Sequence, residues 1–225
     1  MHARSLERVL AAASLLLVLV VIIASAAIRL ASQDLGSWLP VVRATHRFSA
    51  SLATLLILAV AIMAWRGERR ALAAVIVLVT AFLSVLGAAT GIGPPPWAQA
   101  GNLLGGLFLA GLLAWLLAAK EPAQKRLWAL LALQACLGAW IAIFADALWT
   151  PVLALHALLG IGLAALLGWL ALKQGRLLML LLAIAVPASG AAAALFGLPL
   201  GAMIAHAAAV AVLVSGAAYA HTRLA

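Results

Sequence analysis

The chain has 225 residues, of which 68% are hydrophobic and 8% are charged, and its mean hydropathy is +1.24. This composition excludes a water-soluble globular domain, which needs a larger share of polar surface. A net charge of +9 would suggest nucleic-acid binding in a soluble protein, but here the basic residues lie between apolar runs and at their ends. The sequence therefore predicts an integral membrane protein that does not bind nucleic acid.

Apolar runs of the length that a membrane requires follow one another along the whole chain. About 20 mostly apolar residues cross the roughly 30 Å of hydrocarbon, and eight such runs are separated by short polar or Pro- and Gly-containing breaks. No hydrophilic stretch is long enough for a second domain, so residues 1–225 are predicted to form one all-α transmembrane domain. The predicted spans are 9–31, 44–65, 71–92, 99–119, 126–146, 151–172, 177–197 and 201–222.

The basic residues predict the orientation of these helices. Lys and Arg lie before the first span and after the second, fourth, sixth and eighth, whereas the segments after the third, fifth and seventh contain neither. By the positive-inside rule we expect a multi-pass plasma-membrane protein with both termini in the cytoplasm. The residues that carry this prediction are Arg4, Arg8, Arg66, Arg69, Arg70, Lys120, Lys125, Arg126, Lys173, Arg176 and Arg223.

Three arginines depart from this pattern. Arg29, Arg43 and Arg47 lie in or beside the segment between the first two spans, which is external by the same rule. One explanation is contact with lipid headgroups or pairing with Asp34, because arginine at a helix end readily extends to the membrane surface. The other is a bound anion at the outer face. The sequence leaves both open.

The second half of the chain repeats features of the first, which predicts two four-helix repeats, 1–119 and 126–222. A Trp-x-Pro segment leads into a histidine in each half, and Gly87 and Gly190 precede another polar residue by 15 and 16 residues. Because four helices separate equivalent elements, the repeats are predicted to be parallel, with equivalent residues at equal depth. The corresponding residues are His46 with His156, and Asn102 with His206.

These polar residues are predicted to lie in the first turns of the helices that begin at the outer face. One such histidine is more often a packing residue, but three at repeat-related positions point to a function. Zinc would need further ligands, for which only Asp34 and Asp146 are available outside. Haem iron needs two axial ligands and an apolar slot. Small residues follow His156 and His206, so these two are the candidate haem ligands, with His46 a further candidate metal ligand.

Three local sequences, ATHRF at 44–48, LQACLGAW at 133–140 and LHALLG at 155–160, together with eight helices in two repeats, resemble the haem A synthase family of cytochrome oxidase assembly proteins. The resemblance covers nearly the whole chain. It implies a b-type haem held by His156 and His206. It also implies a haem O substrate site in the first half, where a methyl group is oxidised to the formyl group of haem A.

The resemblance assigns roles to residues of the first half as well. His46, followed by Arg47, matches the family's His-Arg signature, so His46 is the expected ligand that positions haem O at the catalytic site. Arg47 and Arg43 are the expected partners of the propionates. Two positions depart from the family, since Asn102 replaces a histidine and Arg43 an acid. An amide is a poor iron ligand and arginine cannot relay protons as a carboxylate does, so the first-half site is expected to be five-coordinate, altered or inactive.

Three functions are compatible with these features. The leading one is an oxidoreductase that converts haem O to haem A for cytochrome c oxidase assembly, with membrane lipid, haem O synthase and assembly factors as partners. The second is a non-catalytic haem-binding assembly protein, which explains the changes at Arg43 and Asn102. The third is a small membrane transporter, favoured by the repeat and the Gly and Pro breaks at 91–96, although the sequence lacks a charged midplane site.

Overall fold

The computed structural model describes residues 2–31, 35–65, 69–91, 93–118, 125–143, 151–196 and 200–221. These residues form eight α-helices and one 3-10 turn without a strand, which confirms the predicted all-α class. The 3-10 turn, Gly36–Trp38, leads directly into the second helix. The helices are α1 (His2–Ala31), α2 (Leu39–Trp65), α3 (Arg70–Thr90), α4 (Pro96–Ala118), α5 (Lys125–Ile143), α6 (Pro151–Lys173), α7 (Leu177–Leu195) and α8 (Leu200–His221).

Two helices, α1 and α2, begin five or more residues before their predicted spans. α1 begins at His2, so Arg4 and Arg8 lie within the helix and not before it. No proline or glycine interrupts this segment, and arginine is a good helix former. α2 begins at Leu39, and its second residue is Pro40. Proline is tolerated in a first turn because the N–H that it lacks would be unpaired there anyway. His46 is therefore the eighth residue of α2, about 10 Å from its start. Asn102, His156 and His206 are the seventh, sixth and seventh residues of α4, α6 and α8, so the prediction of first-turn positions was wrong for all four.

The first four helices pack in a ring, in which α1 contacts α2, α2 contacts α3, α3 contacts α4, and α4 returns to α1. Ile57 and Leu113 are fully buried in its core. At one end, Arg69 donates from Nη1 to the carbonyl oxygen of Leu116 over 2.6 Å and lies 3.8 Å from Glu7. The starts of α1 and α3 therefore lie beside the end of α4, and α1 and α4 are antiparallel.

The last four helices pack in chain order, α5 on α6, α6 on α7 and α7 on α8. A second apolar cluster lies among them and includes Leu127, Leu163 and Leu213. The two groups of helices meet where α8 packs against α1 and α4, and where α5 packs against α4. Side chains of α6 and α8 therefore point toward a common interior.

Six of these helices are long and apolar enough to cross a membrane. α5 and α8 contribute shorter apolar stretches, Leu127–Ile143 and Gly201–Ala217, which are not among these six. Large apolar side chains cover the outside, for example Phe48 and Leu195, which are 71% and 79% exposed. Such a surface suits lipid and not water. The membrane class is thus confirmed, while the predicted crossing by all eight helices stays a prediction.

Candidate histidine site

The imidazoles of His156 and His206 lie next to each other. They are the sixth residue of α6 and the seventh of α8. Their ring centroids are 6.4 Å apart, and the ring planes are inclined by 77°. Seven residues further along each helix, on the same face, Leu163 and Leu213 are buried in the second apolar cluster. The structure therefore brings together the two histidines that the repeat singled out, on the inward faces of two helices that are not consecutive.

His206 is held by a hydrogen bond from its Nδ1 atom. This atom lies 2.9 Å from the carbonyl oxygen of Val186 in α7. Because a carbonyl oxygen only accepts, Nδ1 must carry the proton and donate it. The hydroxyl oxygen of Ser189 lies 3.3 Å from the same nitrogen. Nε2 is left with its lone pair, in the arrangement that fixes the tautomer of metal-binding histidines.

His156 is contacted by Gln134 of α5. The amide nitrogen of Gln134 donates to the carbonyl oxygen of His156 over 3.0 Å and lies 3.5 Å from His156 Nε2. Since the carbonyl oxygen requires a donor, it fixes the orientation of the amide. Two buried atoms of this site, Gln134 Oε1 and His156 Nδ1, have no hydrogen-bond partner among the described residues. Burial of a polar atom without a hydrogen-bond partner costs about 1–3 kcal/mol of stability. We therefore expect these two atoms to have a partner that the described residues do not supply.

Three glycines make room for these side chains. A Cβ atom at Gly138 of α5 would lie 2.9 Å from Cε1 of His156, and one at Gly190 of α7 would lie 3.1 Å from Cε1 of His206. At Gly160, a Cβ atom would lie 2.7 Å from the amide nitrogen of the glutamine described above. Any larger residue would displace an imidazole or the amide. The backbones of α5 and α7 thus form a close cradle for the two rings.

The separation of the two ring centroids can be compared with the separation expected for two imidazoles that share one iron. Two iron–nitrogen bonds of about 2 Å, with about 1.2 Å from each nitrogen to its ring centroid, place the centroids about 6.4 Å apart when the ligands lie on one line. The observed separation is 6.4 Å. In the part of the chain that the structure describes, no three His, Cys, Asp or Glu side chains form a metal-binding group. Asp34 and Asp146, the alternative zinc ligands, lie outside the described residues.

In the first half, His46, Arg43 and Asn102 are half-buried, whereas Arg47 is exposed. His46 precedes buried Ser49 by three residues on α2, so it lies on the inward face, and the next residue, Arg47, is rotated away from it. Across the described residues, no hydrogen bond or ring contact joins His46 to Asn102. The structure places both on helices of one ring but does not bring them into contact.

Sequence analysis missed the contribution of Gln134 and Gly138. Gln134 is the only uncharged polar side chain in α5, and Gly138 lies one turn later on the same face. An amide within an otherwise apolar membrane helix was a signal that its partner lies on a neighbouring helix. The partner itself depends on how α5 and α6 pack, which the sequence of α5 does not specify.

The chain was also compared with known proteins. No model of a protein family matches it, and no curated protein matches it.

Proposed function

We propose that this chain is a membrane haem-binding oxidoreductase resembling haem A synthase, and that His156 and His206 hold a b-type haem in its second half. One observation carries the proposal, namely the 6.4 Å separation of the two imidazole centroids on non-consecutive helices. The donor set agrees with it, because two neutral imidazoles in an apolar setting are a common way of holding a redox-active haem. When bound, the haem would supply one-electron transfer.

The surrounding residues would prepare the imidazoles for this role. The carbonyl oxygen of Val186 accepts the Nδ1 proton of His206, which leaves Nε2 for the metal and makes it a better donor. Gly138 and Gly190 let the rings lie directly against α5 and α7. Gln134 holds the backbone at His156. These residues would bind and orient the cofactor.

In this proposal the first half is the substrate site, where a methyl group of haem O is oxidised to the formyl group of haem A. His46, on the inward face of α2, would position the substrate, and half-buried Arg43 would face a propionate. The exposure of Arg47 argues against its expected role as a propionate partner inside the bundle. Haem O synthase and cytochrome oxidase assembly factors are the proposed partners, with the surrounding membrane lipid.

A second candidate function is a non-catalytic haem protein used in oxidase assembly. Asn102 favours it, because an amide at the position that corresponds to His206 does not provide a second strong iron ligand. This candidate keeps the haem b of the second half and omits oxidation in the first. Mass analysis of haem extracted after co-expression with a haem O source separates the two, since only the enzyme yields haem A.

The proposal includes two parallel four-helix repeats and cytoplasmic termini. Support for the repeats comes from the contacts between the two groups of helices. Each helix of α1–α4 corresponds to the helix four places later in the chain. The contact of α4 with α5 then corresponds to the contact of α8 with α1, and the contact of α4 with α8 corresponds to itself. These two relations are expected for a two-fold axis along the membrane normal. The contact of α1 with α4 has no comparable counterpart between α5 and α8 among the described residues, so the packing within the two halves differs. The basic segments support cytoplasmic termini in a plasma membrane.

The decisive experiment is the visible spectrum of the purified protein and of two variants, His156→Ala and His206→Ala. The parent is expected to show reduced low-spin b-type bands. Each variant is expected to lose or shift them, because iron that loses one imidazole becomes five-coordinate. His2→Ala is the control, since His2 begins α1 at the opposite end of the bundle. Unchanged bands in both site variants, or a parent without haem after reconstitution, would reject the proposal.

A further inference from the structure

Arg29 lies on the inward face of α1. It follows the buried residues Ile22 and Ala26 by seven and three positions, which places all three on one side of the helix. Its Nε atom is buried and has no hydrogen-bond partner among the described residues. A guanidinium group has five N–H donors and no acceptor. The inward position and the unpaired donor together indicate that something other than the described protein faces this group.

The packing of α1 against α4 places Arg29 near the mouth of the first ring of helices. A Cβ atom at Gly106 of α4 would lie 3.2 Å from Cγ1 of Ile22, so these two residues are at one level. Arg29 is about 10 Å beyond Ile22 along α1, and Asn102 is about 6 Å beyond Gly106 in the same direction, because the helices are antiparallel. Helical side chains lean toward the N-terminus of their helix, which brings the guanidinium of Arg29 back toward the level of Asn102.

The described residues at this end supply cations for which they supply no anion. One ion pair is formed among the described residues, between Arg69 and Glu7, and it lies at the opposite end of the bundle. Arg43, near the start of α2, is half-buried like Arg29. A cation within a membrane helix is costly and is usually functional.

We infer that Arg29 is the charged residue of an oxyanion site at the mouth of the first four helices, and that the ligand is the carboxylate or phosphate group of an amphiphile. An amphiphile is favoured because Trp38 and Trp97, which lie at this end, are 67% and 66% exposed and can contact an apolar tail. The site deepens the first half of the proposed function but does not depend on haem binding by the second half.

The test measures thermal unfolding of the full chain with four probes. The protein is reconstituted in vesicles of phosphatidylcholine, with or without anionic phosphatidylglycerol, and separate samples receive inorganic phosphate, oleate or methyl oleate. These probes distinguish a lipid phosphate, a free phosphate and a carboxylate. The uncharged ester controls for the apolar tail. The variants are Arg29→Leu and Arg29→Lys, with Arg70→Gln as the control, since Arg70 is exposed and begins α3 at the other end of the bundle.

Phosphatidylglycerol or oleate is expected to raise the Tm of the parent and of Arg70→Gln by about 5 °C at a concentration well above its Kd. A rise with inorganic phosphate and with neither amphiphile would overturn the assignment to an amphiphile. Methyl oleate is expected to leave it unchanged. Arg29→Leu is expected to lose the shift and to unfold at a higher Tm without ligand, because it removes a buried N–H donor that has no partner among the described residues. Arg29→Lys keeps the charge and is expected to keep part of the shift.

Two other results would overturn the inference. In the first, no anionic probe raises the Tm of the parent, or the rise is equal in Arg29→Leu. In the second, Arg29→Leu and Asp34→Asn lower the Tm of the ligand-free protein by the same amount, which would mean that Arg29 is paired within the chain. Either result leaves haem binding by His156 and His206 in place, because the spectrum of the second-half site is measured separately.

Discussion

Replacement of Gly138 by alanine tests whether His156 binds iron from the position described above. The added Cβ would lie 2.9 Å from Cε1 of His156, whereas carbon atoms in contact are about 3.5–4.0 Å apart. The ring must therefore move by roughly 0.6–1.1 Å, against a metal–nitrogen bond of about 2 Å. We expect Gly138→Ala to weaken haem binding by roughly tenfold to a hundredfold, the range seen when the support of a metal ligand is disturbed.

Gly162→Ala is the matched control. A Cβ at Gly162, in α6, would meet no atom within 4 Å, and alanine is favoured over glycine within a helix by about 0.5–1 kcal/mol. This variant is expected to bind haem like the parent and to unfold at an equal or higher temperature. The assay is titration of the haem-free protein with haem, followed by absorption in the reduced state, with thermal unfolding measured on the same samples.

The outcome for Gly138→Ala separates the role of His156 from its packing. A folded variant that binds haem with the affinity and spectrum of the parent would show that His156 does not ligate iron from this position. A variant that loses haem but keeps the unfolding temperature of the haem-free parent would support the assignment, because the damage is then confined to the ligand.

Asn102→His is expected to add a low-spin haem signal when haem O is supplied, because a second strong ligand would join His46; no added haem in a folded variant would contradict the equivalence of the two halves. Gln134→Leu is expected to keep one haem but change its reduction potential, because His156 loses an amide contact; an unchanged potential would exclude a positioning role. A reporter fused after Ala225 is expected to read as cytoplasmic, and an external reading would refute the proposed topology.

The helices themselves could be predicted from the sequence because apolar runs of about 20 residues have few alternatives in a membrane. Their starts were harder to place. The segment His2–Arg8 is polar, so hydropathy places the start of the first span after it. Arginine and leucine have high helix propensities, however, and the helix includes this segment. α2 likewise begins at Leu39, before the apolar run, because its proline is compatible with a first turn.

The proximity of His156 and His206 could be predicted because the internal repeat places both at one depth, near the starts of α6 and α8, and small residues follow each of them. The residues that hold the two histidines could not be predicted in this way. Val186 and Gln134 reach them from neighbouring helices, and the sequence of a single helix does not specify how that helix is rotated against its neighbour. The same limit explains Arg47. Its rotation away from the bundle follows from the buried face of α2, which became known only with the packing of that helix.

The two proposed haem sites differ in the contact between a polar side chain and a glycine of the preceding helix. In the second half, the imidazole of His206 lies against Gly190, where a Cβ would come within 3.1 Å of it. In the first half, Gly87 precedes Asn102 by nearly the same number of residues, but a Cβ at Gly87 would meet no atom within 4 Å. Gly87 is exposed, so the contact between His206 and Gly190 has no counterpart between Asn102 and Gly87. The first half thus keeps the spacing in the sequence without the contact, and Asn102→His tests whether an imidazole at this position is enough to hold a haem.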